Sequence, residues 1–161
     1  MRLVLGHDQA VGAWVAARIP MLGVAEAFGP FAAIGVASTA GELIGGVVFH
    51  GYRPSCRTIQ LSFASASPRW LTKSLIVGIM AYPFDQLQCE RVTAYTPKRA
   101  RDARRFIENF GFKREGLMRK EFGDDDAVIS GLLKREWQQS RWVRPRKVRD
   151  GQINSSSAGS A

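Results

Sequence analysis

The sequence predicts one α/β domain of the α+β kind, a mixed and mostly antiparallel sheet flanked by helices, in the order β-α-β-β-β-α-β-α-β-β. Three observations carry this. Residues 31–64 hold three successive runs with strand character and no helical period between them. Segments of helical period stand before and after that block. The length of 161 residues, 45% hydrophobic and 23% charged, suits a single globular core.

Each element has a local reason. Arg2–Leu5 reads as a short strand, and His7-Asp8 offers an N-cap to a helix whose Val11, Trp14, Val15 and Ile19 share one face until Pro20. Phe31–Ala37 and Leu43–Tyr52 are small-residue and β-branched runs joined by Ser38-Thr39-Ala40-Gly41-Glu42, a hairpin connection. Thr58–Ala64 alternates Ile59, Leu61 and Phe63 with Thr58, Gln60 and Ser62, which completes an antiparallel meander. Leu75, Ile76, Ile79, Met80, Phe84 and Leu87 form an apolar helix in which Pro83 must kink or end the ladder. Arg91–Tyr95 is a strand. Thr96-Pro97 then looks like a helix start, with a hydroxyl at the N-cap and proline at the first helical position. That helix carries Ala100, Ala103, Phe106, Ile107 and Phe110 inward and stops at Gly111. Two strands follow, near Phe112–Glu121 and Ala127–Lys134. From about Trp137 the chain loses periodicity, so residues 1–137 read as the domain and 138–161 as a basic, Ser-rich, disordered tail.

Charge narrows the partners. Lys and Arg number 23 against 14 Asp and Glu, a formal net charge of +9. Such a balance invites nucleic acid, a membrane surface or an anionic cofactor. Residues 1–96 are nearly balanced, and the excess gathers in residues 97–161, most of it from Lys134 onward. The longest uncharged stretch, Ala27–Gly41, is too short and too broken by Gly and Pro to span a bilayer, so no membrane partner is expected. Cys56 and Cys89 make neither a metal nor a redox spacing, which fits a reducing, cytoplasmic setting. No metal site, phosphate-binding Walker loop or nucleophilic triad is visible.

The turn Ser67–Ser74 concentrates chemistry. It holds Arg69, Lys73 and the hydroxyls of Ser67, Thr72 and Ser74 at the start of a helix, where free N–H groups and the helix dipole attract phosphate. The bland alternative is an ordinary hydroxyl-capped helix start.

A second segment separates these readings. Glu108-Asn109-Phe110-Gly111-Phe112 closes a helix, and Glu115-Gly116-Leu117-Met118-Arg119 follows on a strand. This pattern resembles the GNAT superfamily of acetyl-CoA-dependent N-acetyltransferases, and the likeness continues through Gly123-Asp124 to Glu136-Trp137. Tyr82-Pro83-Phe84, with Arg91 opening the next strand, is similar to a subset found on phages and prophages.

The resemblance implies a GNAT-like twisted sheet and gives the Ser67–Ser74 turn a task. GNAT enzymes place an Arg/Gln-x-x-Gly-x-Gly/Ala loop there to cradle the coenzyme A pyrophosphate. The matching positions are Arg69, Thr72 and Ser74, so the arginine is kept and both small positions carry side chains. Glycine lets backbone approach a phosphate without a Cβ between them; Thr72 and Ser74 narrow that approach but bring hydroxyls. The implied cofactor-binding set is Phe63, Ala64, Ser65, Arg69, Trp70, Leu71, Thr72, Lys73 and Ser74, with backbone N–H groups of Phe63–Ser65 polarising the thioester carbonyl. The tyrosine that many relatives use as acid falls at Ile107, and their helix-start Asn falls at Ala100. Tyr95 is therefore the candidate acid, against the alternative of an amphipathic tyrosine at a strand end. His50 and Glu42 flank the meander as further titratable groups.

Asp124, Asp125 and Asp126 lie between the last two strands, where they either attract a cationic acceptor or form a solvated turn. The expected function is acetyl transfer from acetyl-CoA, without a metal, to a primary amine of a small molecule or protein, by direct attack in a ternary complex. The protein would act as a monomer or homodimer. The rival is a catalytically degenerate GNAT-shaped binding module. In that case Trp137, Trp142, Arg141, Arg144, Arg146, Lys147 and Arg149 would dock the tail on nucleic acid or the ribosome.

Overall fold

The computed structural model describes residues 1–20 and 22–144. Its strands are β1 (Arg2–Val4), β2 (Phe31–Ala37), β3 (Leu43–Arg53), β4 (Thr58–Ser65), β5 (Arg91–Pro97), β6 (Lys113–Phe122) and β7 (Asp125–Leu133). Helices are α1 (Asp8–Ala16), α2 (Lys73–Ala81), α3 (Arg101–Phe110) and α4 (Lys134–Gln139). The strands form one sheet in the order β1-β2-β3-β4-β5-β7-β6. Every neighbouring pair is antiparallel except β4 and β5, which run parallel. The expected mixed, mostly antiparallel sheet flanked by helices is what forms.

Alternation along the strands divides the core between two faces. One face presents Ile34, Val36, Val47, Phe49, Ile59, Leu61 and Val92 to Ile76, Ile79 and Met80 of α2 and Ile107 and Phe110 of α3. The other presents Ala33, Val48 and Ala64 to Val11 and Val15 of α1. Full burial of a side chain such as Phe49 or Ile79 contributes about 1.5–3 kcal/mol. Gly45 has a specific reason on this scaffold: a Cβ there would enter the indole of Trp70.

Local geometry follows the sequence signals in several places. The ladder of α2 stops at Ala81, and Tyr82–Gln86 form a single π-type turn around Pro83, with the Leu87 N–H donating to the Tyr82 carbonyl at 3.0 Å. Gly111 ends α3 in the left-handed region at φ 114°. Its N–H and that of Phe112 donate to the Glu108 and Ile107 carbonyls.

Three local expectations need correcting. Thr96-Pro97 does not start a helix. Strand β5 runs on through Pro97, paired with Ala127, and Ala100 takes the N-cap position without a side-chain bond. The reason is tertiary: the hairpin of β6 and β7 supplies partners that outcompete local propensity. The Lys98 N–H donates to the Asp126 carbonyl at 2.8 Å and the Arg99 N–H to Asp125 Oδ2 at 3.0 Å. His7-Asp8 supplies no side-chain cap either, because Asp8 Oδ1 accepts from the Ala33 N–H of β2 at 3.1 Å.

The expected disordered tail from residue 138 also needs correcting as far as the described residues reach, to Arg144. Glu136 accepts from the Leu133 N–H and pairs with Lys113 at 2.5 Å, which starts α4. Trp137 is buried, stacked between Phe84 and Phe110. Trp142 donates its indole N–H to the Phe110 carbonyl at 3.0 Å, and Arg141 donates to the Asn109 carbonyl. Residues 138–144 therefore pack on α3. Arg146, Lys147 and Arg149 lie outside the described residues.

Candidate active site

The parallel pair β4 and β5 is joined only from Thr58 and Arg91 to Leu61 and Ala94. Beyond that point both strands continue with partners on their outer sides, β4 to Ser65 against β3 and β5 to Pro97 against β7. The sheet is therefore split at its centre. The Ala66 N–H donates to the Ile44 carbonyl at 2.9 Å, toward β3. In an antiparallel ladder successive residues face opposite neighbours, so the N–H and C=O groups of Phe63 and Ser65 point into the split. By the same rule, the Lys98 N–H bonding to the Asp126 carbonyl turns the backbone groups of Tyr95 toward it from the other side.

A cleft of about 930 Å³ runs through this opening. On the α3 side it is walled by Phe63, Ser65, Trp70, Ala100, Ala103 and Phe106, with Thr96 and Asp102. On the opposite side it meets the segment after α1 (Arg18, Ile19, Leu22, Phe28), the polar face of the meander (His50, Gln60, Ser62), Tyr95, and the end of β6 (Met118, Glu121, Phe122). It is thus a passage with one lobe beside α3 and another beneath α1, joined where β4 and β5 part.

Among the residues expected from sequence, Phe63, Ala64, Ser65, Trp70 and Tyr95 line this cleft. Trp70 is buried, stacked on Phe106 with ring centroids 5.8 Å apart, and anchors the turn that follows β4. Leu71 is half-buried beside it. Arg69, Thr72, Lys73 and Ser74 are exposed around the start of α2 and do not line the cleft. Thr72 is the N-cap of α2: its Oγ1 accepts from the Leu75 N–H at 3.4 Å and lies 3.1 Å from Ser74 Oγ. That accounts for the hydroxyl at Thr72 and leaves the charges of Arg69 and Lys73 facing solvent.

Asp124, Asp125 and Asp126 are not brought to the cleft. Asp124 and Asp125 clasp the turn that leads into α3, and Asp126 braces the β6–β7 hairpin. Asp125 Oδ2 takes the Arg99 N–H, Asp126 Oδ1 takes the Lys120 N–H at 2.9 Å, and Asp124 stands 3.5 Å from the Arg99 guanidinium. Asp125 is mostly buried, whereas Asp124 is open to solvent.

Several cleft residues carry little local sequence signal. His50 and Ser62 share a face of β3 and β4, with His50 Nε2 2.8 Å from Ser62 Oγ and the Phe28 ring 5.1 Å from the imidazole. Burial lowers the His50 pKa from 6.5 to about 4, so the ring is neutral at neutral pH. The Arg18 guanidinium lies 3.6 Å over the Trp14 ring and donates to the Trp14 carbonyl, which fixes it at the cleft mouth. Thr96, Asp102 and Glu121 are further polar groups of the lining that sequence reading missed. The alternation of Thr58–Ala64 identified the polar face of β4, but nothing local placed the α1 segment or the end of β6 across from it.

No protein-family model matches the chain, and no curated protein matches it in sequence. Solved structures do match in fold. A chimera of the Vibrio cholerae spermidine N-acetyltransferase SpeG and hSSAT is 18% identical, with a TM-score of 0.61 over 70% of this chain and 74% of that one. The dodecameric Vibrio cholerae spermidine N-acetyltransferase is 19% identical, with a TM-score of 0.58 over 68% of each chain. A probable acetyltransferase is 24% identical, with a TM-score of 0.59 over 66% of this chain and 63% of that one. The split sheet and these likenesses agree with the Glu108–Phe112 and Glu115–Arg119 segments: this chain has the GNAT N-acetyltransferase fold.

Proposed function

We infer that the protein is an acetyl-CoA-dependent N-acetyltransferase acting on a primary amine by direct attack in a ternary complex. The observation that supports this most is the split between β4 and β5, which leaves the Phe63 and Ser65 backbone groups unpaired toward a cleft open on both faces of the sheet. Such groups suit an extended ligand with amides of its own, and the pantetheine arm of coenzyme A carries two. When bound, acetyl-CoA supplies an activated acetyl thioester.

The residues then divide by task. Arg69, Lys73 and the first N–H groups of α2 hold the diphosphate, with Trp70 fixing the turn that presents them. The hydroxyls of Thr72 and Ser74 stand where relatives have glycine, so charge and hydroxyl contacts replace close backbone approach. Backbone N–H groups at Phe63 and Ser65 polarise the acetyl carbonyl. Tyr95 serves as proton donor to the departing sulfur, and water at the polar face of His50 and Ser62 carries the acceptor ammonium's proton away to solvent. Holding the amine against the carbonyl supplies much of the acceleration.

The acceptor lobe is chiefly apolar and aromatic, from Ile19, Leu22, Phe28, Met118 and Phe122, with Glu121 as its carboxylate. That favours an amine with an apolar body, borne by a small molecule or a peptide, acted on by a monomer or homodimer. The reading places the protein in the cytoplasm, where acetyl-CoA is made and an exposed thiol such as Cys56 stays reduced. A link to the phage-associated subset rests on Tyr82-Pro83-Phe84 and Arg91.

Calorimetric titration of acetyl-CoA into the wild type and Arg69→Ala tests the proposal. Saturable binding weakened about tenfold by Arg69→Ala is expected for loss of one charged phosphate contact. No binding at millimolar ligand would overturn it in favour of a GNAT-shaped binding module. An acceptor screen following free-thiol release then identifies the amine.

A further inference from the structure

We propose that the Thr96 hydroxyl is a binding group for the pantetheine arm of coenzyme A, on the wall opposite Phe63 and Ser65. The inference rests on the acetyltransferase reading and adds a residue to it. Two independent observations carry it. Thr96 is 3% exposed and its Oγ1 is buried with no hydrogen-bond partner. Thr96 also lines the cleft, where β5 has left β4 and before α3 begins.

A buried hydroxyl without a partner is destabilising, and its neighbours offer no internal remedy. The α3 wall beside it is built from Ala100, Ala103 and Phe106, and Asp102, the one side chain of that wall with an acceptor, does not bond Oγ1. The Thr96 backbone is committed to the ladder opposite Val128. The residue is therefore fixed in place while its hydroxyl is idle, and valine would fill the same space without that cost. Rotation about χ1 re-aims Oγ1 without moving the strand, so the hydroxyl can meet a ligand held in the cleft.

The ligand chemistry follows from the site. The position is enclosed, flanked by apolar side chains, and faces unpaired backbone groups across the split, so it suits a narrow uncharged chain bearing secondary amides. A hydroxyl can donate to an amide carbonyl or accept from an amide N–H, and either bond ends its unpartnered state. Tyr95 and Thr96 are consecutive on β5 and so point to opposite faces of the sheet. Tyr95 serves the acceptor lobe, and Thr96 serves the cofactor lobe.

The test compares wild type, Thr96→Val and Thr96→Ser by calorimetry with coenzyme A, the thiol product, so that no turnover intervenes. The adenosine bisphosphate portion of coenzyme A, which lacks the arm, is titrated in parallel. Thr96→Val is expected to weaken coenzyme A binding about fivefold and to leave the nucleotide portion unchanged, while Thr96→Ser binds both as wild type does. Without ligand, Thr96→Val should melt at a higher temperature than wild type, because the idle hydroxyl is gone. Undiminished coenzyme A binding by Thr96→Val, or an equal loss for the nucleotide portion, would overturn the inference and leave the acetyltransferase reading standing. Failure of the wild type to bind coenzyme A would overturn both.

Discussion

Arg91 and Glu115 form a bidentate ion pair that passes over Gly131. Arg91 opens β5, Glu115 lies on β6, and β7 runs between them, so the pair ties together two strands that are not neighbours. Arg91 Nε also donates to Thr93 Oγ1 at 2.9 Å, which holds the guanidinium in one orientation. A Cβ on Gly131 would meet the Arg91 nitrogens at 2.7–2.8 Å and Glu115 Oε2 at 2.7 Å. Gly116 follows at a register shift in β6, where Glu115 has no paired residue on β7. The Glu115-Gly116 pair and Arg91 thus have a structural reason independent of any ligand.

Gly131→Ala should displace this pair and cost about 1–2 kcal/mol of unfolding free energy, read from urea denaturation. Glu115→Gln should cost less than about 1 kcal/mol, because the pair is partly solvent-exposed and screened. The Arg91 guanidinium holds the Glu115 carboxyl below its ordinary pKa of 4.5. A group whose pKa is depressed on folding stabilises the fold above its unfolded pKa and loses that contribution as pH falls through the folded value. Wild type should therefore lose its advantage over Glu115→Gln as pH drops below about 4.5, measured as the difference in melting temperature between the two.

His50 should impose a pH dependence of the same sign at higher pH. Its folded pKa of about 4 lies below the unfolded value of 6.5, because burial disfavours the charged ring. The unfolded chain takes up a proton first, so stability declines as pH falls from about 6.5 to about 4. His50→Gln should flatten that part of the stability curve. An equally steep decline in the variant would show that His50 is not the group responsible.

The aspartates between β6 and β7 should separate by position. Asp125→Ala removes the acceptor of the Arg99 N–H at a mostly buried site and should cost about 1–2 kcal/mol. Asp124→Ala, at an exposed site, should stay within about 0.5 kcal/mol. With Asp124 and Asp125 turned to Arg99 and Asp126 to the Lys120 N–H rather than facing the cleft, Asp124→Asn should leave the acceptor KM unchanged. A raised KM in steady-state assays would return that residue to the acceptor site.

The fold was legible where one residue type meets one backbone demand. Gly111 stops α3 because the left-handed cap favours glycine, Pro83 ends α2 because it lacks an N–H, and β4 alternates because Ile59 and Leu61 face the core under α2 and α3 while Gln60 and Ser62 face the cleft. Legibility failed where distant partners decide. Thr96-Pro97 carries a strong local helix-start signal, yet pairing with Val128 and Ala127 holds both residues in the strand. Trp142 looked like part of a solvated basic tail, and only the Phe110 carbonyl reveals its place. The cleft divides in the same way. Its α3 side came from the run Phe63–Trp70 and the resemblance, whereas Arg18, Phe28 and Glu121 meet there only because β2, β4 and β6 bring separate segments together.

Glu121 is where that second group makes a quantitative claim. It lies at the end of β6 against the acceptor lobe, beside Met118 and Phe122, while its neighbours Asp124 and Asp125 are turned toward Arg99. A protonated amine approaching Tyr95 therefore passes the Glu121 carboxylate. Its side chain is exposed, so the attraction is that of a surface pair, about 0.2–1 kcal/mol, and Glu121→Gln should raise KM for a cationic acceptor by about 1.5- to fivefold. The rate at saturation should hold, because the contact exists before as well as during reaction. The KM ratio of wild type to variant should also approach one as salt rises, since screening removes a surface pair. A KM that is unaltered at low salt would exclude Glu121 from amine recognition and leave the apolar wall of Ile19, Leu22 and Phe28 as the basis of acceptor choice.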